Sequence, residues 1–200
     1  MANWIQLMGW GARAIMLILL VLSVWSVAIM LDRKKVFRAE LAGATLDELK
    51  MRIESSNGSS LKEWADKNPS FLAGVVRVAL GAGSGGESVD RAVQAYLTER
   101  KLMLERGLSL LATFAANSAF IGLLGTVMGI IQSFGILSSQ QGSAMNAVMF
   151  GLAEALVTTA IGIFVAVPAA IAYNHYSQKL RNATLEAGAV RDWLLSRAGR

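Results

Sequence analysis

Between Arg106 and Lys179 the chain carries one formally charged residue, Glu154, inside the apolar stretch Ala147–Tyr173, AVMFGLAEALVTTAIGIFVAVPAAIAY. A charged side chain at bilayer depth costs on the order of 2.5–3.5 kcal/mol on insertion scales, so an ionisable residue there marks a functional site. A carboxyl group so placed can take a proton from one side of a membrane and release it to the other. A protonated Glu serving only as interhelical glue is the structural alternative, but Gln or Ser would make the same bond at lower cost. Thr158, four residues on, shares a helix face with Glu154, and Ile161 and Gly162 continue that face. Thr159 is turned about 140° away at 3.6 residues per turn. If the preceding apolar helix runs antiparallel, Thr126 falls near the depth of Thr158 and Thr159. Such hydroxyls can hydrogen-bond a titrating carboxylate or order water beside it, although Ser and Thr in helices also bond their own backbone.

Other chemistries have no residues to carry them. The chain has no cysteine and one histidine, His175, which rules out a disulfide framework and a thiolate metal site. HExxH, GxSxG and GKS/T motifs are absent from the sequence. Gly81-Ala82-Gly83-Ser84-Gly85-Gly86 formally matches GxGxxG, but no strand precedes it, and a hinge between helices is the better reading. The expectation is a non-enzyme without metal or organic cofactor.

A helix must hold Glu154 at depth, and composition says what kind. Hydrophobic residues make up 54% of the chain against 16% charged, with a mean hydropathy of +0.47. The apolar residues lie in blocks, which predicts an all-α integral membrane protein. Three blocks are long enough to span: residues 14–31, 108–137 and 147–173. The first is followed by Asp32-Arg33-Lys34-Lys35, a membrane stop rather than a cleavage site. Residues 1–13 form a short outer N-terminus in which Trp4 and Trp10 suit the headgroup region.

Residues 32–107 are polar and nearly charge-balanced, predicting a cytoplasmic helical domain. Thr45-Leu46-Asp47-Glu48 and Ser60-Leu61-Lys62-Glu63 fit capping boxes, and Asn57-Gly58 and Asn68-Pro69 mark turns. Phe71–Leu80 is too short to span and is expected to pack inside this domain. From Ser88 the helical pattern continues into the second apolar block, predicting one helix of about 50 residues, roughly 75 Å. Residues 138–146 form an uncharged outer loop and 174–200 a basic cytoplasmic tail. Pro168 is expected to weaken or kink the third span.

Basic residues set the topology. Arg33, Lys34, Lys35, Arg38, Arg100, Lys101, Arg106, Lys179 and Arg181 fall on one side of the three spans and only Arg13 on the other. The positive-inside rule therefore places the N-terminus outside and the C-terminus in the cytoplasm. The net charge of +5 belongs to this membrane pattern and does not point to nucleic acid. Small residues crowd the last two spans, Ala112, Ala115, Ala116, Ala119, Gly122, Gly125 and Gly129 in one and Gly151, Ala155, Gly162 and Ala166 in the other. They let backbones approach closely, and so much small-residue surface predicts an oligomer. Asn117 and Gln132 read as polar glue between helices, and His175 as an interfacial anchor rather than a proton relay.

The segments Gly122-Leu123-Leu124-Gly125-Thr126-Val127-Met128-Gly129-Ile130 and Gly151-Leu152-Ala153-Glu154-Ala155-Leu156 resemble the MotA/TolQ/ExbB proton-channel family. Gly162 and Val167-Pro168-Ala169 through Tyr173-Asn174 continue the match. The resemblance implies a motor subunit of the bacterial inner membrane that forms a homopentamer around two copies of a single-span ExbD/TolR-like partner. Protons would be the coupling ion, and the work would serve outer-membrane import, Tol-type envelope maintenance or gliding. By position, Glu154, Thr126 and Thr159 correspond to the family's polar pore residues, whereas helix geometry pairs Glu154 with Thr158; both assignments stand at this point. A non-conducting scaffold that anchors a partner is the alternative function.

Overall fold

The computed structural model of the chain describes residues 2–43, 45–55, 58–83, 85–139 and 145–198. Most of the predicted outer loop lies outside the described residues, as do Asn57, Ser84, Arg200 and the side chains of Trp4 and Arg197. Among the described residues the chain is all-helical: α1 Ala2–Glu40, α2 Leu46–Ser55, α3 Gly58–Lys67, α4 Phe71–Gly81, α5 Gly86–Glu105, α6 Leu108–Ser139 and α7 Met145–Ala198. Helices α1, α6 and α7 contain the three apolar runs, each long and apolar enough to cross a membrane.

The chain divides into two compact units. One comprises residues 1–31 and 109–174, the other 32–108 and 175–200. In the first, the apolar parts of α1, α6 and α7 pack together over Ile15, Leu19, Leu111, Phe114, Val165 and Ala169. Trp25 meets Phe114 edge-on with ring centroids 5.6 Å apart. Much of the remaining apolar surface is exposed, including Leu20, Phe120, Phe134, Phe150 and Phe164. Water would not tolerate so large an apolar exterior, whereas lipid or other membrane helices would. Trp10 is 71% exposed, as suits an interfacial aromatic.

In the second unit α4 is the core element, with Phe71 through Val76 all buried, as the short apolar run predicts. Ser70 caps it by accepting from the Ala73 amide at 3.4 Å, satisfying one of the free donors of the first turn. Gly74 has no Cβ because the Tyr96 phenol occupies that space, from which Tyr96 donates to the Phe71 carbonyl at 3.3 Å. Burial raises the Tyr96 phenol above its ordinary 10.0, against the lowering effect of the Arg100 guanidinium. Arg100 in turn pairs with Glu40 at 3.0 Å.

Two sequence expectations, the unbroken helix from Ser88 and the cap at Ser60, need amendment. The helix predicted to run on from Ser88 is interrupted after Glu105, and α6 starts afresh at Leu108. Gly107 sits at φ +75°, the left-handed region that closes helices and that glycine enters without steric penalty. The last span and the tail are one helix of 54 residues, and Pro168 lies inside it without ending it. Its missing N–H leaves the Phe164 carbonyl without its intrahelical donor. Thr45 does cap α2, accepting from the Glu48 amide at 3.4 Å. Ser60 does not cap α3, because that helix already begins at Gly58. The Gly81–Gly86 run joins α4 to α5, with Gly83 at φ +89°.

Candidate functional site

Helices α6 and α7 meet along a seam of small residues that fixes their rotation. A methyl group added at Gly162 would lie 2.6 Å from the Ser118 carbonyl oxygen and 2.9 Å from the Cα of Gly122. One at Gly122 would lie 3.0 Å from the Thr158 carbonyl oxygen, and one at Gly129 2.7 Å from the Cβ of Ala155. At Gly151 it would strike the Ser133 hydroxyl. The seam therefore runs Ser118, Gly122, Gly125, Gly129, Ser133 on α6 against Gly162, Thr158, Ala155, Gly151 on α7, descending in opposite directions. Six of the eleven small residues singled out from the sequence, Gly122, Gly125, Gly129, Gly151, Ala155 and Gly162, belong to it. Helix α1 closes over the same seam: Ile15 reaches within 3.1 Å of a Cβ at Gly125, and the Met128 sulfur within 3.0 Å of one at Gly11. Ala116, by contrast, is exposed, on the far side of α6 from the seam.

This rotation sorts the threonines. Thr158 is 1% exposed, with its methyl group against Gly125 and its hydroxyl donating to the Glu154 backbone carbonyl at 3.1 Å. It shares a helix face with Glu154, as its spacing requires, but offers nothing to the carboxylate. Thr159 pairs across the interface with Thr126, hydroxyl to hydroxyl. Thr159 also reaches the Gly122 carbonyl at 3.1 Å, and Thr126 the Ala155 carbonyl at 3.0 Å. Two hydroxyl protons thus face more acceptors than they can serve, so the pair can exchange which hydroxyl donates. Thr126 and Thr159 are brought together, and Glu154 stands apart from both.

Glu154 itself is exposed, on α7 outside the buried seam. Among the described residues nothing hydrogen-bonds its carboxylate. The same open surface carries Phe150 and Val157. The neighbouring Ala155 is buried at 3%, so one residue of sequence separates the packed face from the open one. The three helices of the chain hold the Glu154 backbone in place and leave its side chain for whatever lies beyond them.

Three buried serines, Ser26, Ser118 and Ser133, carry no signal in the sequence motifs named above. Ser118 and Ser133 belong to the seam, and the regular spacing from Ser118 through the three glycines to Ser133 is the signal that would have found them. Ser26 and Ser118 are buried hydroxyls without a partner among the described residues. Within its own chain Asn117 bonds no other helix among the described residues; it is exposed and its amide donates to the Thr113 carbonyl of its own helix at 2.8 Å. His175 is exposed and lies edge-on to Tyr176, ring centroids 5.2 Å apart. Among the described residues no three His, Cys, Asp or Glu side chains cluster as a metal site would require.

Three helices long and apolar enough to span, joined along a glycine seam with one exposed carboxylate in the last of them, are the features of a multi-pass membrane protein. A profile of the MotA/TolQ/ExbB proton channel family matches residues 63–187, and the chain belongs to that family. It is 34% identical to the Tol-Pal system protein TolQ of Pseudomonas aeruginosa over 183 residues, covering 84% of this chain and 78% of that protein. It is 42% identical to the biopolymer transport protein ExbB of Xanthomonas campestris over 95 residues, 48% of this chain and 38% of that protein. Against ExbB of Aquifex aeolicus the identity is 36% over 117 residues, 56% of this chain and 79% of that protein. The chain is thus a multi-pass inner-membrane protein, and it spans well under half of the Xanthomonas relative.

Proposed function

We propose that the chain is the channel-forming subunit of a proton-driven motor of the Tol or Ton type, working without enzymatic chemistry or a cofactor. Several copies surround the single membrane helix of an ExbD/TolR-like partner, as a pentamer around two partner copies, with the N-terminus periplasmic and the tail cytoplasmic. Glu154 carries this reading. Its carboxylate lies on the open side of α7, where lipid tails would leave it unsolvated at about 3 kcal/mol or more. Other protein chains, or water enclosed by them, must therefore cover it. A ring of such carboxylates facing a partner helix can accept protons from one compartment and release them to the other. Each proton that crosses the field contributes about 2.3 kcal/mol per 100 mV, comparable with the cost of holding the charge at depth. Protonation state and partner position are then coupled, because the charged carboxylate needs a polar partner nearby and the neutral one does not. The Thr126–Thr159 pair supports the site from behind by fixing α7 against α6.

The experiment replaces Glu154 with Gln, which keeps shape and hydrogen bonding and removes titration. Reconstituted with its partner, Glu154→Gln is expected to assemble normally and to lose proton-driven activity, while Glu154→Asp retains part of it. Unchanged energised activity in Glu154→Gln would sink the motor reading and leave the non-conducting scaffold.

A further inference from the structure

We propose that Lys34, Arg38, His175 and Lys179 form a binding site for the phosphate headgroup of an anionic membrane lipid. These residues line an open cavity of about 440 Å³ within the second unit, floored by Phe37 and Tyr176 with ring centroids 5.0 Å apart. Lys34 and Arg38 are four residues apart on α1, and His175 and Lys179 four apart on α7, so each helix presents its cations on one face. Phe37 is 2% exposed, which anchors the floor while the four basic side chains remain exposed around it.

The charges are not spent within the fold. Several other cations of this unit have carboxylate partners, as Arg33 has Asp32, Arg77 has Asp66 and Arg191 has Asp90, while others, Lys35 and Arg181 among them, stand alone among the described residues and do not converge on a shared cavity. Lys34, Arg38 and Lys179 have no carboxylate partner among the described residues. Lys179 also borders a neighbouring cavity that contains Glu40 and Glu186, but Glu40 is already engaged by Arg100. Three full positive charges therefore converge on one cavity, and like charges held together without an anion repel.

Position selects the anion. Lys34 lies three residues past the end of the apolar run at Leu31, and His175 two residues past Tyr173. Basic side chains immediately beyond membrane spans lie where lipid phosphates are, and basic pockets between such helices take anionic headgroups. The aromatic floor suits the glycerol and upper acyl region below the phosphate.

Native mass spectrometry of the assembled protein, released from nanodiscs of phosphatidylcholine with phosphatidylglycerol, tests the site. Each basic residue near an anionic surface is worth about fivefold in affinity, so removing three predicts roughly a hundredfold loss. The wild type is expected to retain phosphatidylglycerol in preference to phosphatidylcholine, and the triple variant Lys34→Gln, Arg38→Gln, Lys179→Gln to lose that preference. Arg38→Gln alone should lose about fivefold. Lys35→Gln with Arg181→Gln removes two charges at similar distances from the spans but outside the cavity, and should retain the lipid. Equal loss in that control would reduce the effect to diffuse surface charge and overturn the site. Displacement of the lipid by millimolar inorganic phosphate would overturn the lipid assignment, as would capture of a protein chain rather than lipid by a photo-crosslinker at position 179.

Discussion

Adding one methyl group at Gly162 and one at Gly188 should move stability in opposite directions, although both glycines lie in α7. At Gly162 the new Cβ would sit 2.6 Å from the Ser118 carbonyl oxygen, about 0.8 Å inside the 3.4 Å at which ordinary contact begins. It would also lie 2.9 Å from the Cα of Gly122. Both neighbours are backbone, so no rotamer change relieves the overlap and α6 must move away from α7. Overpacking of this kind costs about 1–3 kcal/mol. Alanine returns up to about 1 kcal/mol through its better helix propensity. The net expectation is a loss of roughly 1–2 kcal/mol for Gly162→Ala. At Gly188 nothing lies within 4 Å of the new methyl, so only the propensity gain remains. Thermal unfolding of the purified protein in one detergent, followed by tryptophan fluorescence at a fixed scan rate, reads both. At about 2–4 °C per kcal/mol for a chain of this size, Gly162→Ala should lower the apparent Tm by several degrees and Gly188→Ala raise it slightly. A Gly162→Ala protein as stable as Gly188→Ala would refute the close backbone contact, and with it the rotation that sorts Thr158 from Thr159.

Four further outcomes follow from other contacts in the two units. Thr126→Val and Thr159→Val should show a coupling of about 0.6–1.7 kcal/mol in a double-mutant cycle by thermal unfolding, the range for hydrogen bonds between membrane helices. Thr158→Val should be nearly neutral beside them, because the Thr158 hydroxyl serves only its own helix and valine keeps the methyl that fills the space at Gly125. Arg100→Met should destabilise the second unit by roughly 1–3 kcal/mol, since it leaves the largely buried Glu40 carboxylate without its cation. Adding Glu40→Gln should recover part of that loss in chemical denaturation. Gly74→Ala should destabilise by displacing the Tyr96 phenol, and Tyr96→Phe in the same chain should relieve part of the overlap, so the two losses measured by denaturation will be less than additive.

Much of this protein was legible along one dimension. The length of an apolar run against the thickness of a bilayer is a property of sequence alone, so three runs long enough to span, and the place of Glu154 within the last of them, follow without coordinates. The cost of a lone carboxylate at that depth, and the likeness of the flanking glycine motifs to a proton-channel family, follow equally. The apolar α4, too short to span, was legible for the same reason. Rotation about the helix axes was not. Thr158 and Thr159 differ by about 100° around α7, and only the packing of Gly122 and Gly162 decides that one hydroxyl turns in on its own helix while the other meets Thr126. The break at Gly107 escaped because a glycine between two helical patterns is compatible with continuation or reversal, and the backbone's left-handed turn there is a tertiary choice. The cavity between Lys34, Arg38, His175 and Lys179 brings together residues more than 130 positions apart, and no local pattern encodes that meeting. Sequence set Glu154 within an apolar run long enough to span; the glycine seam decided that its side chain is left exposed at the margin of the packed face, because close backbone contact fixes which side of a helix is left open.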